Sequence, residues 1–310
     1  ALDKYNKDNG ASYEPLPPSA FKQADAEGNE LSGSEGIRVP AGDYSAKIMV
    51  KVGQLDSKDF PDSKKYAIPL SITGASNYSL IPSQRSAILL LNRSILSSVA
   101  KVSGGEGIRI KPVGMHAKAE WTIQMSAIYS SLTRSNLTTA YLSNGTGGAF
   151  YTRISSTAGI QVKNGRDGDD TWTQMPLQAG KWLHITYVHK DKKTTVYVNG
   201  KVQKVFENSA ITFGENSMIV VGNSGYRNDY LREIRLWDKA LTESEINDYL
   251  YLPMDPETPH LISYLPLSKE AGIKDLKAPA DMENVTTKAR IEYVENVKFP
   301  ADELVIVNQE

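Results

Sequence analysis

Apolar and polar residues alternate over much of the chain. Ala46, Ile48, Val50 and Val52 are interleaved with Lys47, Met49 and Lys51, the period of two that a half-buried strand requires. Tyr66, Ile68, Leu70 and Ile72 repeat it, and the unbroken run Ala87 to Leu91 reads as a buried strand. Pro40-Ala41-Gly42-Asp43 and Gly74-Ala75-Ser76-Asn77 supply turns between these runs. Ahead of them, Leu2 to Lys7 is a short helical candidate, followed by a turn-rich stretch at Pro15, Pro17 and Pro18. Together these segments predict a small antiparallel sandwich over residues 1–95.

A second series starts with Ile108-Arg109-Ile110 and runs to about residue 300. Its strand candidates are Trp121 to Met125, Ala149 to Ile154, Gly159 to Lys163 and Trp182 to His189. Thr194 to Val202 is a hairpin, because Asn199-Gly200 supplies the two positive φ angles of a type I′ turn. Many short strands between turns predict a sandwich or jelly roll. One helix interrupts them near 243–250. Thr242 and Glu245 are spaced for a capping box, with Leu241 and Ile246 at the staple positions and Pro253 beyond the end. The glycine-rich stretch Val102 to Gly107 lacks strand periodicity and places the domain boundary near it.

Composition narrows the classes. With 40% hydrophobic and 23% charged residues the chain can bury a core. Its 35 basic and 36 acidic residues leave a net charge of -1, which argues against nucleic acid as a partner. The densest apolar run, Ala87 to Leu91, falls far short of the ~18 residues of a membrane span. Without cysteine there are no disulfides, thiolate metal sites or cysteine nucleophiles. A start at Ala1 suits a processed export product as well as a trimmed cytosolic chain.

The order of the pieces is specific. Trp182 and His184, Tyr197-Val198-Asn199-Gly200, Gly222, then Glu233, Arg235 and Trp237, and finally Ala240 to Ile246 follow one another, with Leu261 to Leu267 as a returning strand. This series resembles the laminin-G-like branch of the concanavalin A-like lectin/glucanase superfamily over residues 105–300. Tyr5-Asn6, Asn9-Gly10, Tyr13, Leu16-Pro17 and the run Tyr66 to Ile72 are similar to an immunoglobulin-like domain at the front of surface lipoproteins of glycan-foraging Gram-negative gut bacteria. In that family a further strand and a lipidated cysteine lie upstream. The resemblance implies an all-β chain, an immunoglobulin-like sandwich followed by a concanavalin A-like jelly roll. It also implies an exported protein at the cell surface or outer membrane, attached only through an upstream lipid anchor. The implied role is non-catalytic binding of an oligosaccharide or polysaccharide. Adhesion to another protein and glycoside hydrolysis are the alternatives.

Hydrolases of the superfamily place paired carboxylates on one strand, in a pattern like Glu-Ile-Asp-x-x-Glu. The nearest string here is Glu233-Ile234-Arg235, with arginine where the middle carboxylate belongs, so no catalytic pair is expected. Glu243 and Glu245 serve the helix start. His116, His184, His189 and His260 have no zinc-ligand spacing, and His184 reads as a packed histidine bonded to a sheet neighbour. No Gly-x-Ser-x-Gly elbow is present.

Two loops carry the candidate binding chemistry. Asn164 to Trp172, "NGRDGDDTW", fails the EF-hand pattern, since counting from Asp167 puts Thr171 at position 5 and Trp172 at position 6. It reads as a turn, with no cofactor expected; Asp167, Asp169 and Asp170 are the candidate calcium ligands if one is bound, and Trp172 is a candidate sugar contact. Asn223 to Tyr230, "NSGYRNDY", mixes aromatic rings with amide, carboxylate and guanidinium groups, as sugar recognition demands. Tyr226, Arg227, Asn228, Asp229 and Tyr230 are its candidates. A groove between Trp172 and Tyr226 requires both loops on one rim, which depends on strand order.

Overall fold

The computed structural model describes residues 1–31, 36–143, 146–163, 171–207, 211–222 and 226–308. The chain divides into two compact units, Ala1–Arg93 and Ser94–Glu310.

The first unit opens with α1 (Leu2–Asn9), ended by Gly10 in the left-handed region at φ 58°. Asn6 then clamps the next segment, donating to the Tyr13 carbonyl at 2.8 Å and accepting from the Tyr13 amide at 3.1 Å. β1 (Tyr13–Pro15), β2 (Phe21–Ala24), β3 (Met49–Val52), β4 (Lys65–Ser71) and β5 (Ser86–Leu90) follow. β1, β4 and β5 form one sheet, with β1 parallel to β4, and β2 and β3 form another. Leu16, Tyr66 and Ile68 are buried between them, with Phe21 and Val50 from the smaller sheet packed on. The expected buried strand at Ala87 to Leu91 is instead an edge strand. Among the described residues its one neighbour is β4, and Leu89 and Leu90 stay 39% and 41% exposed.

The second unit is a two-sheet sandwich. Its strands are β6 (Ile95–Gly104), β7 (Ile108–Ile110), β8 (Trp121–Ile128), β9 (Arg134–Ser143), β10 (Thr146–Ser155), β11 (Gly159–Lys163) and β12 (Trp182–Lys190). Then come β13 (Lys193–Val198), β14 (Lys201–Glu207), β15 (Met218–Val221), β16 (Tyr226–Trp237), β17 (Leu261–Leu265), β18 (Val285–Thr286) and β19 (Arg290–Phe299). The larger sheet runs β14-β13-β12-β8-β16-β6-β19, with β17 also on β16; the other runs β11-β10-β9-β15-β7-β18. Successive strand residues face opposite sides. Ile123, Met125 and Ala127 of β8 therefore meet Phe150, Ile154, Ile160 and Val162 of the other sheet in one core. Polar bonds cross that core too, as where Tyr187 donates to Thr152 Oγ1 at 3.1 Å.

Local sequence dictates the details. Asn199 and Gly200 take φ 50° and 75°, as a type I′ turn requires. A Cβ on Gly200 would also collide with Asn247 Oδ1 at 2.0 Å. Asn247 belongs to α2 (Glu243–Asp248), whose capping box is complete: Thr242 Oγ1 accepts from the Glu245 amide and Glu245 accepts from the Thr242 amide. Leu241 and Ile246 are buried together with Trp237, Met254 and Tyr264 on the outer face of the larger sheet. Among the described residues no helix is long and apolar enough to cross a membrane.

Candidate functional site

Inward residues of β10 and β11 leave the next residues in each strand on the outer face of the six-stranded sheet. Phe150, Thr152 and Ile154 point inward from β10, as do Ile160 and Val162 from β11. Tyr151, Arg153, Gln161 and Lys163 therefore share the other side. The register sets Tyr151 opposite Lys163 and Arg153 opposite Gln161. Two cations flank the tyrosine ring, Lys163 Nζ at 5.4 Å and Arg153 Cζ at 5.6 Å from its centroid.

Trp172 extends this surface. It forms an antiparallel bridge with Gln161, and directly opposed residues lie on one face. Its carbonyl accepts from Lys204 Nζ at 2.7 Å. The segment is fixed on both sides of the tryptophan: Gln161 Nε2 donates to Thr171 Oγ1 at 2.8 Å, and the Ile160 amide donates to Thr173 Oγ1 at 3.0 Å. Gly159, at φ 79°, permits that close approach, since a Cβ there would meet Met175 O at 2.4 Å.

Among the described residues, two polar atoms of this face are buried without a hydrogen-bond partner, Arg153 Nε and Gln161 Oε1. One donates, the other accepts, and their residues stand directly opposite each other. A hydroxyl group satisfies such a pair, because it accepts and donates at once. The half-buried rings of Tyr151 and Trp172 add apolar faces beside it.

The second candidate stretch is built differently. Asp229 is 0% exposed, and its carboxylate serves the local backbone. Oδ1 accepts from the Ser130 amide at 2.9 Å and the Ser130 hydroxyl at 3.0 Å, while Oδ2 accepts from the Arg227 amide at 3.2 Å. The register of β16 on β6 shifts between Arg227 and Asp229, and Asn228 between them takes φ 61°. Asp229 thus pins a bulge. Tyr230 packs beside Ile128, Trp182 and Val297, whereas Arg227 and Asn228 are exposed. The backbone of Tyr226 pairs with Gly104.

Strand directions also separate the two stretches. β9 pairs antiparallel with both β10 and β15, and β11 pairs antiparallel with β10. β11 and β15 therefore run in opposite senses, so the chain leaves Lys163 and Val221 in opposite directions, although the register through β10 and β9 sets Lys163 level with Val220. A single rim holding Trp172 beside Tyr226 does not follow from this topology. Asp167, Asp169 and Asp170 lie outside the described residues. Among the described residues no group of three or more histidine, aspartate or glutamate side chains is placed to hold a metal.

Glu233 and His184 are held by neighbours on their sheet. Glu233 Oε2 accepts from Arg235 Nε at 3.1 Å and Nη2 at 2.6 Å, and Oε1 accepts from the Tyr264 hydroxyl at 3.0 Å. His184 is buried with Nδ1 2.6 Å from Ser126 Oγ, the packed histidine expected of its strand. Sequence reasoning missed Tyr151, Arg153, Gln161 and Lys163. Their signal is an aromatic and three polar residues at alternate positions of two adjacent strands whose other positions are core.

The fold and this face together define a two-unit, nearly all-β protein whose larger unit is a concanavalin A-like sandwich. Residues 103–247 match the family model of the concanavalin A-like lectin/glucanases superfamily. Residues 1–79 match a family of N-terminal domains. No curated protein matches the chain. Among solved structures, a candidate carbohydrate-binding protein from Bacteroides ovatus is similar over 97% of this chain and 85% of its own, with TM-score 0.57 and 20% identity. A heptameric SAP-like pentraxin from Limulus polyphemus is similar over 64% of this chain and 94% of its own, with TM-score 0.44 and 14% identity. Domain 4 of AbnA, an extracellular arabinanase from Geobacillus stearothermophilus in complex with arabinotriose, is similar over 59% and 87%, with TM-score 0.40 and 14% identity.

Proposed function

We propose that the protein binds carbohydrate without transforming it, at a bacterial cell surface, through the outer face of β10 and β11. The observation that carries this reading is the donor–acceptor pair Arg153 Nε and Gln161 Oε1, flanked by Tyr151 and Trp172. The pair suits a pyranose hydroxyl, and the rings suit the C–H face of the sugar. The superfamily of the larger unit and the carbohydrate-binding description of the Bacteroides ovatus neighbour support it. The non-catalytic part rests on Glu233, whose carboxylate is held by Arg235 and Tyr264. The surface location rests on the likeness of the first unit to surface lipoproteins, and with it the upstream lipid anchor.

Tyr151, Arg153 and Trp172 are half-buried while Gln161 and Lys163 are buried, and each hydrogen bond contributes about 0.5–1.5 kcal/mol. Total affinity then falls near 4 to 8 kcal/mol, roughly micromolar to millimolar. A glycan array with the full chain tests the reading. Binding to one oligosaccharide class, with no release of reducing sugar on long incubation, supports it. A blank array moves the function to a protein partner, and released sugar makes the protein a hydrolase.

A further inference from the structure

The outer face of the larger sheet carries a second polar cluster that sugar binding does not use. Arg232, Glu233 and Arg235 lie on β16 with side chains at most 5% exposed, one carboxylate between two guanidinium groups. Glu233 gives Oε2 to Arg235 and Oε1 to Tyr264. Arg235 completes its bonding on the carbonyls of Tyr249 and Leu252. Arg232 is less well served. Its Nη1 donates to the Tyr251 carbonyl at 3.2 Å, and its Nη2 stands 3.6 Å from Glu233 Oε1. Among the described residues, Arg232 Nε and Nη2 have no partner within hydrogen-bond distance.

Aromatic groups wall in this cation. Arg232 Cζ lies 4.0 Å from the centroid of the Phe299 ring, which is 5.1 Å from that of Trp182. Trp182 neighbours His184, and His184 meets the Tyr251 ring at 4.8 Å. Among the described residues, Trp182 Nε1 and His184 Nε2 are also buried without a hydrogen-bond partner. Among the described residues, four nitrogen atoms of three buried side chains that pack in series through Phe299 are therefore unsatisfied. Such groups are rare in folded proteins and each is costly. An arginine cannot shed its charge, and a buried cation is stable only when paired. Water would satisfy the N–H groups but not the charge.

We propose that this cluster binds one small monovalent inorganic anion, of the size and charge of chloride. Arg232 donates to it from Nε and Nη2, and Trp182 from Nε1. His184 donates from Nε2, in the tautomer whose Nδ1 accepts from the Ser126 hydroxyl. The anion balances the positive charge that Glu233 leaves over.

Bromide is the probe. Crystals of the full chain grown in bromide are expected to show an anomalous peak within hydrogen-bond distance of Arg232 and Trp182. Melting temperature, measured at constant ionic strength, should rise by several degrees and saturate as gluconate is exchanged for chloride or bromide. In Arg232→Met that dependence should vanish. A site without an anomalous peak overturns the proposal and makes the occupant water. So does equal stability of the wild type in all three salts, or a halide dependence that survives in Arg232→Met. Should that variant not fold, the wild-type crystal decides.

Discussion

His184 lies between Trp182 and Tyr251, with Nδ1 against Ser126. Burial first, then the charges of Arg232 and Arg235, hold its imidazole pKa down at about 3, against 6.5 ordinarily. The unfolded chain takes up that proton as pH falls below 6.5, and the folded protein does not. His184 thus contributes fully to stability above pH 6.5, and the contribution is lost as pH falls toward 3, by up to about 1.4 kcal/mol per pH unit. Melting temperatures at fixed chloride should therefore drop more steeply across this window in the wild type than in His184→Gln. Parallel curves would show that the histidine is not the group taking up the proton. The sequence made His184 legible as a core residue, because its neighbours Leu183 and Ile185 are apolar. It did not make Asp229 legible. An aspartate among tyrosines and asparagines has the composition of a sugar site, and its service to Ser130 and the Arg227 amide depends on a contact 99 residues away. Tyr151 and Arg153 were hidden for a related reason: which parity of β10 faces solvent follows from the sheet, not from the strand.

Among elements, those with local instructions were read correctly. The capping box around Thr242 and the turn at Asn199-Gly200 depend on residues within a few positions of each other. Thr242→Ala removes the bond to the Glu245 amide and should cost about 0.5–2 kcal/mol. Denaturant unfolding checks this, and an unchanged midpoint would mean that packing of Leu241 and Ile246 alone sets the helix start. Strands with mixed patterns were not legible. β9 places Thr138 in the core, where its amide donates to Thr152 Oγ1 at 3.1 Å, so its inner positions do not read as apolar. β19, half exposed at the sheet edge and shifted in register between Val294 and Val297, shows no clean alternation either. β5 shows the opposite failure. After Ser86 its residues are all apolar, yet an edge position leaves all but Ile88 exposed.

The division of the whole molecule rests on pairing rather than on glycine content. β6 ends inside the glycine-rich stretch, at Gly104, and is hydrogen-bonded on one side to β16 and on the other to β19. Its residues Ala100 and Val102 are part of the sandwich core. A fragment from Ser94 to Glu310 should therefore melt cooperatively, whereas one starting at residue 105 loses a central strand and should not. Equal, cooperative melts from both fragments would show that β6 is dispensable. Trp172 bridges to β11 of one sheet and Tyr226 begins β16 of the other, so the two stretches can be tested separately. Calorimetry against the oligosaccharide selected by the array does this most directly, with the wild type, Tyr151→Ala, Arg153→Ala and, on the other stretch, Tyr226→Ala and Arg227→Ala. The β10–β11 face predicts at least a tenfold loss of affinity in Tyr151→Ala and Arg153→Ala, about 1.4 kcal/mol, with Tyr226→Ala and Arg227→Ala binding as the wild type does. The reverse pattern, in folded variants, would contradict it and place the sugar at the start of β16.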